Sequence, residues 1–303
     1  MFGAVVGHLV IDYVLSKGRV RRGLGGAVAY AGLAARRYGV DTVAVSKVGA
    51  DMPDEYILFL ARNGVDTSCV VRVSDSVSTS FMLKYLEKGG RELRVLGVCE
   101  PIMPSDLPEC LGEADFIHVG PVIREVSSRV LERIKELSNG LLSLDLQGFI
   151  RRQEGDRIAY MVDEEVLKAV KQANVVHGDL DEAVTVTGER EPWRAALKLV
   201  NKGADIALVT LGKRGAYLAY NGRAYFIPAA KPRRVMDETG AGDVFTVIFD
   251  ASYIENGSIL EAAAAASAAS SFLVEEEGLS GLVGKNELKK RIDEVLLGIK
   301  RMV

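Results

Sequence analysis

The sequence predicts an α/β fold in which a mostly parallel central sheet carries helices on both faces. The first observation is an alternation of short apolar runs and helical segments from residue 114 onward, which is typical of parallel strands joined by helical crossovers. The second is the apolar run Phe2–Val6, which fits a strand buried on both faces. The third is that no linker rich in Pro, Ser or Gly divides the chain and no repeat is visible, so residues 1–303 are predicted to form one domain.

The composition excludes several classes of protein. The chain has 303 residues, of which 48% are hydrophobic, enough to bury a large core. A net charge of −3 argues against a nucleic-acid-binding surface, and no apolar run reaches the roughly 18 residues of a membrane span. Residues 1–6 lack the basic segment that opens a signal peptide. We therefore expect a cytoplasmic protein that binds a small-molecule substrate, and neither nucleic acid nor a membrane.

The cysteines and histidines predict no metal centre. The chain has three cysteines, Cys69, Cys99 and Cys110. They are scattered and odd in number, which suits a reducing compartment rather than a disulfide framework. The chain also has three histidines, His8, His118 and His177. They are far apart in the sequence, and we interpret each of them as structural.

The first elements of the chain are predicted to supply an acidic side chain and a glycine pair. Asp12 follows the first strand, and the carboxyl ends of parallel strands border the usual ligand crevice of α/β folds. A carboxylate that caps a turn is the alternative reading. Residues 14–22 alternate basic and apolar side chains, as a strand with one solvated face does. Gly25 and Gly26 then precede a helix predicted over residues 28–38.

The next elements are a strand at residues 41–46 and a helix at residues 53–63, for which Asp51 is the expected cap. Residues 80–86 and 91–96 flank the sequence Glu-Lys-Gly-Gly, which predicts a β-hairpin.

Strands and helices alternate through the rest of the chain. The predicted strands are Phe116–Val119, residues 141–146, residues 174–177 and Ile206–Thr210. The predicted helices are residues 125–138, 163–172, 244–255, 259–274 and 286–297. Ala216–Tyr220 and Arg223–Ile227 flank Asn221-Gly222, a sequence suited to a type I′ turn, and are predicted to form a second hairpin.

Asp179 and Glu182 follow the strand at residues 174–177 and open a helix. By the residues alone, the favoured interpretation is an N-cap followed by an acidic first turn.

Residues 237–245 are the most informative stretch of the chain. Gly240, Ala241 and Gly242 precede a long apolar run, as expected where a loop turns into the N-terminus of a helix. Glycine lets backbone N–H groups converge, and the first helical turn leaves such donors unpaired, so an anion site is predicted. Asp243 stands where a carboxylate would be repelled by bound phosphate, which indicates a catalytic role. We expect the helix dipole to keep Asp243 ionised at neutral pH.

This stretch resembles the second signature of the ribokinase (PfkB) family of carbohydrate kinases, usually Asp-Thr-x-Gly-Ala-Gly-Asp-x-Phe. In this chain, Glu238 stands between Asp237 and Thr239. Gly25 and Gly26 resemble the start of the first signature, Gly-Gly-x-x-x-Asn, with Tyr30 where Asn is usual. The other matches are the nucleotide loop Thr-x-Gly-x-x-Gly, with Thr210, Gly212 and Gly215, and the Asn-x-x-Glu element, with Asp179 and Glu182.

The resemblance implies a ribokinase-like three-layer α/β fold with a small β-sheet lid formed by roughly residues 13–24 and 79–97. It also implies transfer of the γ-phosphoryl group of ATP to an alcohol, with Mg²⁺ as the cofactor. Asp243 would accept the hydroxyl proton. The backbone N–H groups of Gly240, Ala241 and Gly242 would hold the charge of the transferred phosphoryl group.

The same resemblance implies further binding residues. The implied nucleotide-binding residues are Thr210, Gly212, Gly215, Gly240, Gly242 and Ser267. Ser267 would lie beside adenine, although by sequence alone a close-packed helix is the favoured interpretation there. Asp179 and Glu182 would hold Mg²⁺ largely through water. Some family members also bind a monovalent cation such as K⁺, which would lie near Asp237 and Thr239.

Several details look like the inositol-kinase branch of the family. They are Gly7-His8 before Asp12, Val-Ser-Lys-Val-Gly at residues 45–49, and Asp145, Gln147 and Arg151 in the pattern Asp-x-Gln-Gly-x-x-Arg. Tyr30 in place of Asn also fits that branch better than a ribose or fructose kinase. The predicted substrate is therefore myo-inositol, and the predicted substrate-binding residues are Asp12, Gly25, Gly26, Tyr30, Asp145, Gln147, Arg151 and Asp243. The paired glycines would leave room for the ring against the backbone.

Two other functions remain open at this point. One is a kinase of the same family that acts on a nucleoside or another sugar. The other is a catalytically silent regulator that binds a sugar or nucleotide on the same fold, against which the intact turn at residues 240–243 argues. The oligomeric state also stays open, because the strand edges of the lid suit either a monomer or a homodimer in which a second subunit covers them.

Overall fold

The computed structural model describes residues 1–16, 19–85 and 91–302. Its strands, in chain order, are β1 (Phe2–Val6), β2 (Val10–Ser16), β3 (Arg19–Gly25), β4 (Asp41–Gly49), β5 (Val65–Asp66), β6 (Val70–Val73), β7 (Ser80–Tyr85), β8 (Arg91–Gly97), β9 (Phe116–Val119), β10 (Leu141–Asp145), β11 (Arg151–Glu154), β12 (Arg157–Tyr160), β13 (Val175–Asp179), β14 (Ile206–Thr210), β15 (Ala216–Tyr220), β16 (Arg223–Ile227) and β17 (Lys300–Arg301). Its α-helices are α1 (Ala27–Tyr38), α2 (Asp54–Arg62), α3 (Ser128–Leu137), α4 (Leu146–Ile150), α5 (Glu164–Gln172), α6 (Leu180–Thr187), α7 (Pro192–Asn201), α8 (Ala241–Asn256), α9 (Ile259–Leu273) and α10 (Lys285–Leu297).

The central sheet follows the order β17-β16-β15-β14-β13-β10-β9-β1-β4-β5, with β6 also paired to β4. The strands from β14 to β6 pair in parallel, whereas β15, β16 and β17 add an antiparallel edge. The predicted, mostly parallel sheet is therefore confirmed. Parallel pairing places the carboxyl ends of β10, β13 and β14 side by side at one edge of the sheet, where α/β folds bind ligands.

Helices cover both faces of this sheet. In β1, Ala4 and Val6 belong to one buried cluster and Val5 to the other, as the two-residue period of a strand requires. The first cluster includes residues of α3, α5, α6 and α7, and the second includes residues of α1, α8 and α9. The predicted three-layer arrangement is thus confirmed. The alanines of α9 are almost completely buried, which allows α8 and α9 to pack closely.

A second, small sheet has the strand order β3-β2-β7-β8. The strand character of residues 14–22 and the small sheet are confirmed, but the stretch contributes to two antiparallel strands, β2 and β3, rather than to one. Asp12 is also not at the end of the first strand of the central sheet: β1 ends at Val6, and Asp12 lies within β2. The predicted hairpin turn at residues 87–90 lies outside the described residues, and its two arms are β7 and β8.

A hairpin of β11 and β12 was not predicted from the sequence. It contacts the small sheet, since the N–H of Val95 donates to the carbonyl of Asp156 at 2.8 Å. Arg94 and Asp156 also form an ion pair at 3.2 Å. Both side chains of this pair are about half exposed, so the pair itself adds little stability. The hairpin nevertheless extends the surface of the small sheet beyond β8.

Two local predictions have opposite outcomes. The hairpin of β15 and β16 is confirmed, with Asn221 and Gly222 at φ values of 48° and 71°, as a type I′ turn requires. The expected cap of α2 is wrong: Pro53 is the N-cap, and Oδ1 of Asp51 instead accepts the N–H of Ser78 at 2.7 Å.

Within the described part of the chain, no helix combines the length and apolar character that crossing a membrane requires.

Candidate active site

The anion turn, residues 240–243, forms the N-terminus of α8. Gly240 is the N-cap and has a φ of 77°, in the left-handed region that glycine adopts without strain. Among the described residues no side chain caps this end of the helix, and the turn lines a large cavity. A helix N-terminus presented in this way binds anions through its N–H groups and its dipole.

Two aromatic rings pack against the anion turn. A Cβ at Gly240 would lie 2.2 Å from Cδ1 of Tyr30, and a Cβ at Gly242 would lie 2.9 Å from Cε1 of His177. A side chain at either position would therefore displace a ring or the turn itself. Tyr30 is only 3% exposed, so most of its ring is covered by protein, although the residue still lines the cavity.

The cavity has a volume of about 590 Å³ and opens at the carboxyl ends of the parallel strands. It brings together most residues that the sequence singles out: Asp12, Gly26, Tyr30, Asp145, Gln147, Arg151, Asp179, Glu182, Thr210, Gly212, Gly215, Thr239, Gly240, Ala241, Gly242, Asp243 and Ser267. Gly25 and Asp237 are not part of its lining. The volume suits a small substrate together with a phosphoryl donor.

Gly25 lies beneath the carboxylate of Asp12. A Cβ at Gly25 would be 1.9 Å from Oδ2 of Asp12. The expectation that Gly25 leaves room for a substrate ring is therefore wrong, because Asp12 fills that space. The glycine instead allows β2 to hold the Asp12 carboxylate at the cavity wall.

A chain of hydrogen bonds crosses the end of the cavity nearest to β10. Oδ1 of Asp145, the N-cap of α4, accepts the N–H of Gln147 at 2.9 Å. Nη2 of Arg151 donates to Oε1 of Gln147 at 2.7 Å, and Nη1 donates to the carbonyl of Val122 at 3.2 Å. We call this region, together with Asp12 and Asp243, the acceptor end of the cavity.

The carboxyl group of Asp243 does not behave as the sequence predicts. Burial, reinforced by the negative charges of Asp145 and Asp12, raises the pKa of Asp243 to about 8. The charges of His177 and Arg151 oppose this rise without overcoming it. The expectation that the helix dipole keeps Asp243 ionised at neutral pH is therefore wrong, since desolvation outweighs a dipole effect of about 1 kcal/mol.

Asp179 and Glu182 form a reciprocal capping box at the start of α6. Oδ1 of Asp179 accepts the N–H of Glu182, and Oε2 of Glu182 accepts the N–H of Asp179, both at 2.9 Å. The capping interpretation is thus confirmed. Both residues also line the cavity, and burial followed by the charge of Asp145 raises the pKa of Glu182 to about 8.

Residues that follow β14 form the other end of the cavity, which we call the donor end. Thr210 ends β14, while Gly212 and Gly215 adopt φ values of 56° and 97° that favour glycine. Oγ of Ser267 accepts the N–H of Ala230 and donates to the carbonyl of Pro228, both at 2.9 Å. Ser267 therefore fixes the loop that follows β16, in addition to lining the cavity.

Three basic residues of the cavity, His177, Lys213 and Lys231, were not predicted from the sequence as site residues. His177 was interpreted as merely structural, yet its Nδ1 lies 2.9 Å from Oδ2 of Asp145 and its Nε2 lies 3.1 Å from Oγ1 of Thr210. Its position two residues before Asp179, near the carboxyl end of a parallel strand, is a signal that could have identified it. Lys213 lies within the nucleotide loop, where its charge would favour phosphate.

The carboxylates of the cavity fit the Mg²⁺ that the family implies. Asp179 and Glu182 line the cavity and would supply oxygen ligands, of which Mg²⁺ needs few because it keeps several waters. A nearby cation would also offset the cost of ionising the buried carboxyl group of Glu182. Among the described residues, no group of three or more His, Cys, Asp or Glu side chains is arranged to hold a metal by itself.

The carboxylate of Asp237 shapes the loop before the anion turn. Oδ1 accepts the N–H of Thr239 at 3.0 Å, and Oδ2 accepts the N–H of Gly278 at 3.2 Å. K⁺ near Asp237 and Thr239 stays a prediction.

Comparisons with known proteins agree with this geometry. The family model described as pfkB family carbohydrate kinase matches residues 3–284. A cytidine kinase from Thermococcus kodakarensis is 28% identical over 254 residues, which cover 82% of this chain and 87% of that protein. An inositol 3-kinase from Oryza sativa subsp. japonica is 30% identical over 272 residues, which cover 86% of this chain and 65% of that protein.

A solved structure supports the fold. It is a pyrophosphate-dependent kinase in the ribokinase family, complexed with a pyrophosphate analogue and myo-inositol. It superposes with a TM-score of 0.82 at 24% identity, over 95% of this chain and 100% of that one. Because the family model spans most of the sequence, this chain belongs to the pfkB family of carbohydrate kinases, phosphotransferases with a hydroxyl group as acceptor.

Proposed function

We propose that this protein transfers the γ-phosphoryl group of ATP to a hydroxyl group of a neutral polyol, and that the polyol is myo-inositol. The observation that carries the proposal is that Asp243, the anion turn and Asp12 line one cavity. They supply a base, an anion site and an acceptor of hydroxyl hydrogen bonds. These are the parts that phosphoryl transfer to an alcohol requires.

Asp243 would accept the proton of the attacking hydroxyl group. With a pKa of about 8 it is a stronger base than an ordinary carboxylate, although far weaker than an alkoxide. This suffices because the proton moves late in a loose transition state, where the base mainly orients the nucleophile. The N–H groups of the anion turn would stabilise the transferred phosphoryl group, each by roughly 3 kcal/mol. When bound, Mg²⁺ would neutralise charge on the β- and γ-phosphates.

The charges at the acceptor end favour an uncharged acceptor. Asp12 and Asp145 contribute carboxylates there, Arg151 and His177 offset them, and Asp243 with its raised pKa is mostly protonated at pH 7. The anion of a sugar acid or a sugar phosphate would face Asp12 and Asp145 and leave this balanced set with an excess of negative charge. A neutral polyol instead donates hydroxyl hydrogen bonds to the carboxylates, and hydrogen bonds to charged groups are the stronger ones.

Among neutral polyols, two relatives favour myo-inositol. The rice protein is named an inositol 3-kinase, and the solved kinase holds myo-inositol. A cyclitol carries a hydroxyl group on every ring carbon, so Asp12 can accept from neighbouring hydroxyl groups while another faces Asp243.

The runner-up acceptor is a nucleoside. Phe81, Leu83 and Leu93 form an apolar part of the cavity wall, against which a nucleobase would pack well. The name of the Thermococcus relative, cytidine kinase, points the same way.

ATP is the proposed donor, and pyrophosphate is the alternative that the solved kinase suggests. A nucleotide is favoured because the cavity also includes Gly215, Ser267 and Val274, space that a pyrophosphate would leave unused. Lys213 and Lys231 at the same end suit either donor, since both donors are polyanions.

The experiment is an assay of acceptor-dependent ADP release with Mg²⁺, followed by identification of the phosphorylated product. A parallel assay replaces ATP with pyrophosphate. We expect release of ADP that depends on myo-inositol and yields an inositol phosphate. If no polyol, sugar or nucleoside is phosphorylated with either ATP or pyrophosphate although ligands bind, the silent regulator is the correct function.

A further inference from the structure

His177 occupies the middle of the site although neither the proposed base nor the anion turn includes it. It lies on β13, between β10 and β14, and is 3% exposed. Its Nδ1 is 2.9 Å from Oδ2 of Asp145, and its Nε2 is 3.1 Å from Oγ1 of Thr210. The imidazole therefore connects the carboxyl ends of three neighbouring strands.

These two contacts complete a longer chain of hydrogen bonds. On one side, Oδ1 of Asp145 accepts the backbone N–H of Gln147 at 2.9 Å. The side-chain Oε1 of Gln147 in turn accepts from Nη2 of Arg151 at 2.7 Å. On the other side, Thr210 begins the nucleotide loop. The chain thus runs from the acceptor end of the cavity to the donor end, and His177 is the residue at which the two halves meet.

The ring also packs against the anion turn. A Cβ at Gly242 would lie 2.9 Å from Cε1 of His177, and the ring stacks with Phe245 at a centroid distance of 6.2 Å. Gly242 and Phe245 both belong to the first turns of α8. The position of the imidazole is therefore set by both strands and helix, which leaves it little freedom to move.

We propose that His177 is a positioning residue that holds Asp145 for the acceptor and Thr210 for the donor, at a fixed distance from the anion turn. This inference rests on the proposed function, because it assigns the two halves of the hydrogen-bond chain to the two substrates. In phosphoryl transfer, alignment of both substrates supplies much of the catalysis, so a residue that fixes their relative position affects the rate.

A merely structural role is the alternative. His177 would then fill space under Gly242, and its substitution would lower stability or expression without distinguishing the two substrates. The two ring nitrogens allow a test that separates these roles, since each nitrogen serves a different half of the chain.

Two substitutions remove the contacts one at a time. The amide of His177→Asn reaches the position of Nδ1, so this variant retains the contact with Asp145 and loses that with Thr210. The longer His177→Gln reaches the position of Nε2 and does the reverse. We expect His177→Asn to raise the KM for the donor about three- to tenfold, as the loss of one hydrogen bond predicts, and to leave the KM for the acceptor almost unchanged. We expect His177→Gln to raise the KM for the acceptor by a similar factor and to leave the KM for the donor almost unchanged.

The matched control is His118→Gln. His118 is a buried histidine on β9, its Nδ1 lies 2.9 Å from Oγ of Ser143, and it does not line the cavity. We expect both KM values of this variant to equal those of the wild type. Thr210→Val tests the same contact from its other end should His177→Asn fail to fold, and it must raise the donor KM alone.

The measurements use the acceptor and donor that give the highest wild-type turnover. Calorimetric titration with a non-hydrolysable ATP analogue and Mg²⁺ measures donor affinity without turnover. Failure of the proposed acceptor and failure of this inference are therefore distinguishable. A rise of the donor KM alone in His177→Asn and of the acceptor KM alone in His177→Gln supports the inference. Equal changes of both KM values in the two variants, or no change in either variant, would overturn it.

Discussion

The carboxylate of Asp12 lies directly over Gly25, so close that a Cβ at position 25 would stand 1.9 Å from Oδ2. Asp12 is on β2 and Gly25 ends the neighbouring strand β3, just before the N-cap of α1. The small sheet therefore carries a carboxylate into the cavity, and a glycine on the adjacent strand makes the space for it. This relationship links the identity of residue 25 to acceptor binding.

Gly25→Ala should weaken acceptor binding because the added methyl group displaces the Asp12 carboxylate. We expect the KM for the acceptor to rise about tenfold, the effect of losing one or two hydrogen bonds to a charged group, while the KM for the donor stays nearly constant. Steady-state kinetics with each substrate varied in turn measure this. Gly23→Ala on the same strand is the control, since a Cβ there meets no atom within 4 Å. Equal kinetics in the two variants would refute the role assigned to Gly25.

Asp243→Asn should abolish turnover and spare donor binding. Loss of the group that accepts the proton and orients the nucleophile is expected to lower kcat about 10²- to 10⁴-fold. The measurements are kcat and the calorimetric affinity for ATP with Mg²⁺. Asp250→Asn is the control: Asp250 is on the same helix, burial raises its pKa to about 8 as well, and it hydrogen-bonds to Ser143 away from the cavity. If Asp243→Asn kept a tenth of the wild-type kcat, the assignment of the base would be wrong.

The pH dependence of the reaction follows from the raised pKa of Asp243. A carboxyl group with a pKa of about 8 is mostly protonated at pH 7, and the form that accepts a proton grows as pH rises. We therefore expect kcat/KM for the acceptor to increase with pH below about 8 and to level off above it, since this quantity reports the free enzyme. A profile that is flat between about pH 6 and pH 9 would contradict this.

Glu182→Gln separates the capping role of this residue from its proposed role at the metal. Glutamine keeps an oxygen that accepts the N–H of Asp179, so the thermal midpoint should change little. The Mg²⁺ concentration for half-maximal rate should rise severalfold, because a charged oxygen ligand is lost. The control is Asp181→Asn, an exposed acid in the same first helical turn that does not line the cavity. An unchanged Mg²⁺ dependence together with a lower midpoint would leave Glu182 with the capping role alone.

Local signals explain which parts of the fold are predictable. Ile206–Thr210 and the hairpin at Asn221 and Gly222 have the predicted bounds, because an apolar run or a turn sequence specifies each of them within a few residues. The turn at residues 240–243 is equally local, since two glycines before an apolar helix define it.

Long-range packing explains what the sequence does not reveal. Asp12 follows β1 in the sequence, but its strand pairs with β7, some 70 residues away along the chain. The participation of His177 likewise depends on Asp145, Thr210 and Gly242, which come from three other segments. The pKa of Asp243 depends on burial by the assembled cavity, which no local pattern records.

We propose that the protein phosphorylates a neutral cyclitol bound between Asp12 and Asp243. The most direct measurement is kcat/KM for myo-inositol beside ribose, fructose, 2-keto-3-deoxygluconate, adenosine and cytidine, with the active donor at saturation. We expect the highest value for myo-inositol and a very low value for the acidic 2-keto-3-deoxygluconate, because its carboxylate would face Asp12 and Asp145. A kcat/KM for any other member of the panel well above that for myo-inositol would contradict the inositol assignment and leave the kinase class alone standing.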